Sequence, residues 1–515
     1  MSRRSLLAIP IAVFVIALAA LLVRGSGEFK LPLPRAQAVR AALADPTVKK
    51  ELAADGWDRV RVGGLDSRFA RVTFFDGPRI RAVAAVDAQG HTEHTRIYPP
   101  GSALYGSSLS DAPWFLALLV LGFILAVWTR PLFSLRNLDV LALLALVVPI
   151  VAGDHQLFEL SVLSGYPPLA YLCWRFVQRA AGRQVSPAAT PLVRLPGKRA
   201  RGYAIGAAAA LLAIVAISSP GAIDVGFAST AGATLLLHGT LPYVHMPTDV
   251  LHGDTYPLLN YVLYLPAAAV APVRDAFDDT SSAVLVAFAA ALVVAVALRR
   301  SGSRAVLAWL CFPPLAVAVA SGTNDLLLAA AVALALAMAG RSGRAALALT
   351  AGAWIKLAPV ALLPIWLART RGRPLLRALG AVAGLTTALV FWLLVLGEPA
   401  AMGHMLHAMS FQFDRGTLQS AWALLGLGAA QQVVQAATIA LVAWATLNAR
   451  RIAADPARLA ALSGAVLAAL QLSASNWSYL YVVWLFPCAA LALLADRRPL
   501  LRRDDLLDAV RGLPV

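Results

Sequence analysis

Apolar runs close to the ~20 residues needed to cross a bilayer recur along this chain, separated by short connectors rich in Arg or in Gly and Pro. Roughly thirteen or fourteen such runs can be counted. With 515 residues, 59% hydrophobic and 14% charged, the chain has too little polar surface to enclose them in water. The expected fold class is an all-α polytopic membrane protein.

The net charge of +17 does not imply nucleic acid. The arginines sit in short loops beside the apolar runs, where they act as a topology signal rather than as one face of a soluble domain. Cys173, Cys311 and Cys488 lie within apolar runs, so neither a disulfide framework nor a metal spacing is expected. The first run, with Arg3 and Arg4 ahead of it, is longer than the apolar core of a cleaved leader and reads as a retained span over 1–27.

Placing that basic start in the cytoplasm leaves residues 28–112 outside. Their alternating stretches RVRVGGL, ARVTFF and RIRAVAAV predict a small extracytoplasmic α/β module. Residues 113–201 then supply three more spans and a basic loop whose arginines and lysine, Arg175 to Arg201, give the strongest cytoplasmic signal. Residues 202–496 form the remaining helical core and 497–515 a cytoplasmic tail, with both termini inside. Within the core, the span Ala204–Ser219 runs outward into a loop over 221–279. The stretch PLLNYVLYLPAAAVAPV in that loop is expected to lie along the membrane, because a crossing would put Arg299, Arg300 and Arg304 outside. The segment AALALTAGAWIKLAPVALLPIWLARTRGR carries basic residues at both ends, with Lys356 and Pro359 in the middle. Two half-length helices meeting at Lys356 account for it, since a charge and a helix breaker need protein or water beside them.

The turns that land outside carry most of the chemistry: Asp224, HGDTY, TND, Lys356, FQFDRG and NWSYLY. Asp224 suits a general base for an acceptor hydroxyl, and equally suits an acidic residue bonding the first-turn amides of the helix that follows it. His252, Asp254 and Tyr256, turned together by Gly253, could orient a sugar or assist a base. No cofactor is expected; a divalent metal at His252 and Asp254 is the alternative at that spot. Lys356 and Arg415 are cations suited to a phosphate, against ion pairs to Asp325 and Asp414 or a lipid headgroup. His404 and His407 fall on an amphipathic surface helix. Trp477, Tyr479 and Tyr481 read as an interfacial aromatic belt.

The pieces IDVGFASTAGATLLLHGTLPY, TYPLLNYVLYLP, SGTNDLLLAAAVALALA, AGAWIKLAP, RGTLQS and NWSYLYVVWLFP, in this order, resemble the GT-C superfamily of integral membrane glycosyltransferases. The resemblance is to bacterial family 87 enzymes that use polyprenyl-phosphate mannose. It implies inverting, extracytoplasmic transfer of mannose or another hexose or pentose from a polyprenyl-phosphate donor to a glycan or glycolipid acceptor. The first-loop aspartate of the family is the base, a role that falls on Asp224, with Asp254 and His252 beside it. Lys356 and Arg415 would hold the donor phosphate, and Tyr243, Tyr256, Asn324, Asp325, Gln419, Asn476 and Tyr479 would contact substrate. Membrane lipids are the remaining partners. The richness in Ala and Arg suits a GC-rich bacterial genome, so the bacterial plasma membrane is the expected location. The residues before 202 are an addition to this pattern. Two other readings compete: a transporter or lipid-linked-sugar flippase, suggested by Lys356 in a broken helix, and a non-catalytic envelope assembly protein, suggested by the added module.

Overall fold

The computed structural model describes residues 31–64, 69–76, 79–97, 113–154, 158–183, 190–193, 197–218, 222–243, 245–246, 253–274, 280–396, 400–414, 420–452 and 455–495. The expected first span and the C-terminal tail lie outside these residues, as do His252, Arg415 and Gln419.

Near the N-terminus, two helices, Arg35–Ala44 and Pro46–Asp55, pack on a four-stranded antiparallel meander of β1 (Arg59–Gly64), β2 (Phe69–Asp76), β3 (Arg79–Asp87) and β4 (Thr92–Ile97). Asp45 starts the second helix by accepting from the amides of Thr47 and Val48, with Pro46 at its first position. The period-2 pattern puts Ala70, Val72 and Phe74 of β2 on one face. They are buried there with Ala82, Ala84 and Val86 of β3 and with Ala38, Ala42 and Val48 of the helices.

The other described residues are mainly helical, apart from one short antiparallel pair, Thr129–Arg130 with Thr190–Pro191. Among the described residues, six helices are long and apolar enough to cross a membrane: Leu135–Ala152, Gly197–Ile217, Ser281–Ser301, Gly372–Val395, Gly428–Ile452 and Pro456–Ser473. The pair Ser303–Leu310 and Pro313–Ala320, bent by 54°, makes a seventh if it is one span. This is fewer than the apolar runs suggested. Five further apolar helices are only 10–17 residues long, among them Asp224–Leu237 and Asp325–Ala337. At ~1.5 Å per residue, the latter two reach about 20 Å, less than the ~30 Å hydrocarbon core. They are apolar for another reason: protein surrounds them on all sides, so no polar stripe is selected.

Lipid tails are as apolar as leucine, so these helices are held by close packing rather than by hydrophobic exclusion. Phe312 and Phe486 sit with ring centroids 4.9 Å apart, Trp309 is 5.2 Å from Phe486 and Phe123 is 5.6 Å from Phe312, joining the Pro113–Val127 helix to the core. Gly464 admits the ring of Phe176, which would stand 2.8 Å from a Cβ there. Asp139 is fully buried and held by Arg175 at 2.6 and 2.9 Å and by the hydroxyl of Tyr171 at 2.8 Å.

Successive helices of the core run back and forth, so their connections gather at two ends. At one end lie Arg299, Arg300, Arg341, Arg344, Arg369, Arg377 and Arg450; at the other lie the Ser321–Asn324 turn and Lys356. The helix Ser342–Ala353 rises from the basic end, breaks at Trp354–Leu357 and returns through Ala358–Leu362 and Leu363–Ala368. Lys356 is thus at the tip of a helical hairpin, which explains basic residues at both ends of one apolar segment. The stretch after Pro257 forms two short helices, Leu258–Leu263 and Leu265–Val270.

Candidate functional site

The Ser321–Asn324 turn organises the non-basic end. Its Gly322 is left-handed, with φ of 59°, a conformation that glycine adopts without steric cost. The carbonyl of Ser321 accepts from the amide of Ile223 at 2.9 Å, and that of Gly322 accepts from the hydroxyl of Tyr264 at 3.2 Å. A Cβ on Gly226 would stand 2.6 Å from the Gly322 oxygen and 2.4 Å from Cβ of Ala222. Glycine at 226 is therefore what lets the Asp224–Leu237 helix begin against this turn.

Asp224 opens that helix and is exposed. Its Oδ1 accepts from the amide of Val225 at 2.8 Å, and it forms no ion pair among the described residues. An anionic group in the first helical turn is favoured by the helix dipole. The carboxylate therefore combines local stabilisation with open access.

Asp325, the first residue of the next helix, is the opposite case. It is 1% exposed, and every recorded partner is a donor: Nζ of Lys356 at 2.5 Å and Nε1 of Trp484 at 2.9 Å to Oδ1, and the Thr323 hydroxyl at 2.5 Å to Oδ2. Removing both charges from water is tolerable only because each compensates the other. Of the two expectations for Lys356, the pairing with Asp325 is the one the structure displays. Three aromatic faces enclose the ammonium: Tyr481 at 5.0 Å, Trp484 at 5.7 Å and Tyr256 at 5.9 Å.

Tyr481 and Trp484 are stacked, with centroids 4.5 Å apart and planes 20° from parallel. They lie on the 3₁₀ helix Tyr479–Leu485, whose three residues per turn bring positions i and i+3 into register. This corrects the aromatic-belt expectation. Tyr481 faces a buried cation, and Trp477 is 2% exposed, packed against Gly165 and donating to Oε1 of Gln471 at 3.4 Å. Asn476 and Tyr479 are half-buried beside them, each with a partner inside the protein.

A chain of buried amides connects the two acidic positions. Asn324 donates to Oδ1 of Asn260 at 2.8 Å, Asn260 donates to Oγ of Ser229 at 2.9 Å, and Ser229 donates to the carbonyl of Val225 at 2.7 Å. The residue after Asp224 is thereby tied to the residue before Asp325. Oδ1 of Asn324 is buried and has no hydrogen-bond partner among the described residues. Sequence reasoning missed Asn260, Ser229 and Trp484; the one available signal was the polar Asn inside the apolar run LLNYVL.

The loop carrying Asp254 and Tyr256 is pinned by two buried tyrosines. Tyr261 donates to the carbonyl of Gly253 at 2.9 Å and receives the amide of Tyr256 at 3.3 Å, while Tyr243 donates to the Tyr256 carbonyl at 3.1 Å. Burial, followed by the charge of Asp254, pushes the Tyr243 phenol up, so it stays a neutral donor. Burial is also the largest cause of the rise at Tyr261. Asp254 is half-buried against both. The helix Ala401–Asp414 covers this cluster through Ala401 and Met405 and leaves His407 exposed, as expected of a surface helix.

The structure thus brings Tyr256, Asn324, Asp325 and Lys356 together, with Tyr243 and Asp254 behind Tyr256, and ties Ile223, the residue before Asp224, to the turn that precedes Asp325. Residues 255–474 match the model of a known protein family, Glycosyltransferase family 87, a family of GT-C-type membrane glycosyltransferases. The matched span includes Tyr256, Asn260, Asn324, Asp325 and Lys356, and begins after Asp224 and Asp254. No curated protein and no solved structure matches the chain.

Proposed function

We propose, for a chain whose residues 255–474 match glycosyltransferase family 87 and which is read accordingly as a membrane glycosyltransferase, that it takes its sugar from a polyprenyl-phosphate donor. The sugar, mannose or another hexose or pentose, passes to a hydroxyl of a cell-envelope glycan or glycolipid. The reaction occupies the non-basic end of the bundle, which faces away from the cytoplasm of a bacterium if the arginine-rich end follows the positive-inside rule. In this reading residues 202–496 are the catalytic core, and the preceding helices and sheet are an addition to it.

Asp224 takes the proton of the acceptor hydroxyl, the freed oxygen attacks the anomeric carbon, and the bond from that carbon to the phosphate oxygen breaks with inversion. The departing group is a phosphate ester, which leaves without being protonated, so one carboxylate suffices. Asp325 takes one of the three donors of Lys356, which leaves two for the phosphate. The observation that carries this reading is the contrast between two aspartates whose helices both start against the Ser321–Asn324 turn: Asp325 is buried and neutralised, whereas Asp224 is exposed and forms no ion pair among the described residues.

The test is transfer from a panel of polyprenyl-phosphate sugars to membrane acceptors by wild type and Asp224→Asn, with donor binding measured separately. Loss of turnover with binding retained supports Asp224 as base. Unchanged turnover would overturn that role and move it to Asp254. A wild type that binds no donor would overturn the reading in favour of a transporter or assembly role.

A further inference from the structure

At the end of the bundle opposite Lys356 there is a cleft of about 660 Å³ lined by five arginines, Arg341, Arg344, Arg369, Arg377 and Arg450, and by no carboxylate. Topology alone asks only that arginines sit on one side of the membrane. It does not ask that residues from four separate helix ends, spread over more than a hundred positions of sequence, converge on one concavity.

None of the five forms an ion pair among the described residues, so their mutual repulsion is uncompensated. The cleft walls include the first turns of two helices, Ser342–Ala353 and Gly372–Leu396, whose unsatisfied amides add positive potential. Arg369 is held in place by stacking on Trp366 at 4.8 Å and by donation to the carbonyl of Ala339, which fixes one guanidinium of the cleft wall.

The surroundings indicate where the anion comes from. The spans that flank the cleft, Gly372–Val395 and Gly428–Ile452, are the least covered by protein, with 17% and 11% of their apolar windows buried. Leu376 and Leu447, beside Arg377 and one turn before Arg450, are 67% and 86% exposed. Basic concavities between spans, open to lipid-facing apolar surface, suit lipid headgroups. We infer that this cleft binds the phosphate of an anionic membrane lipid, with the acyl chains lying along Leu376 and Leu447. The site stands at least one helix length, about 20 Å, from Lys356 along the Asp325–Ala337 helix, and does not depend on the function proposed above.

The experiment uses the full chain, delipidated and titrated with phosphatidylglycerol or phosphatidylcholine, with bound lipid read by native mass spectrometry. Wild type is expected to retain phosphatidylglycerol selectively. At ~1 kcal/mol per cation, R344Q/R377Q should weaken that retention roughly thirtyfold and leave phosphatidylcholine unchanged. The exposed pair R344K/R377K, which keeps the charge, should restore most of it and controls for misfolding. Equal retention by wild type and R344Q/R377Q would overturn the inference. So would inorganic phosphate that displaces phosphatidylglycerol at equal concentration, since the ligand would then be a soluble anion.

Discussion

Lys356, at the tip of one helical hairpin, donates at 2.5 Å to Asp325, the first residue of the neighbouring helix. The bond fixes where the hairpin stops, because neither charge can be left alone at 13% and 2% side-chain exposure. A charge pair in this setting acts as a positional lock for the aromatic faces around it.

Removing one partner should therefore do more harm than removing both. Lys356→Met or Asp325→Leu alone leaves a buried charge and is expected to cost about 3–5 kcal/mol, whereas the double replacement should cost clearly less than the sum. Melting of the purified variants in a common detergent, analysed as a double-mutant cycle, measures the difference. Simple additivity would mean the pair is not coupled.

Asn260 is the middle of the amide chain from Asn324 to Val225. Asn260→Leu strands the amide of Asn324 without its acceptor, while Ser229 keeps the carbonyl of Val225, and should lower stability by about 1–3 kcal/mol. Because the chain ends beside Asp224, turnover should fall further than stability does, which a comparison of melting temperature with transfer rate will read.

Two glycine replacements separate close packing from helix propensity. Gly226→Ala drives a methyl into Gly322 and Ala222 and should cost about 1–3 kcal/mol while displacing Asp224. Gly206→Ala, in the helix Gly197–Ser218 with nothing within 4 Å of the added carbon, should be neutral or stabilising by about 0.5–1 kcal/mol. Thermal unfolding of the two variants side by side checks the contrast.

Arg175→Met takes the ion-pair partner from buried Asp139, leaving it the Tyr171 hydroxyl and the more distant charge of Arg136, and should destabilise the helices before residue 202 by about 3–5 kcal/mol. Limited proteolysis should report this as earlier cleavage within 113–180 than in wild type.

Several features were legible in the sequence because they depend on a residue's near neighbours alone. Apolarity over a stretch marks helices that avoid water, arginine clusters mark one end of the bundle, and Lys356 beside Pro359 marks a break. The same locality means that an apolar run does not by itself mark a span. A short helix wrapped by protein and a long one facing lipid are equally apolar, and only the neighbours distinguish Asp325–Ala337 from Gly372–Val395.

The sequence alone therefore determined a helical membrane chain, its basic end, and an Asp224 placed to start a helix. The tertiary structure decided which aspartate is neutralised and which is exposed, that Trp484 and Tyr481 close over Lys356, and that five scattered arginines share one cleft. Those outcomes depend on pairs such as Asp325 and Trp484, 159 positions apart, whose meeting leaves no periodic trace along the chain. Burial and pairing belong to the packed neighbourhood, so they arise only once the helices have found one another.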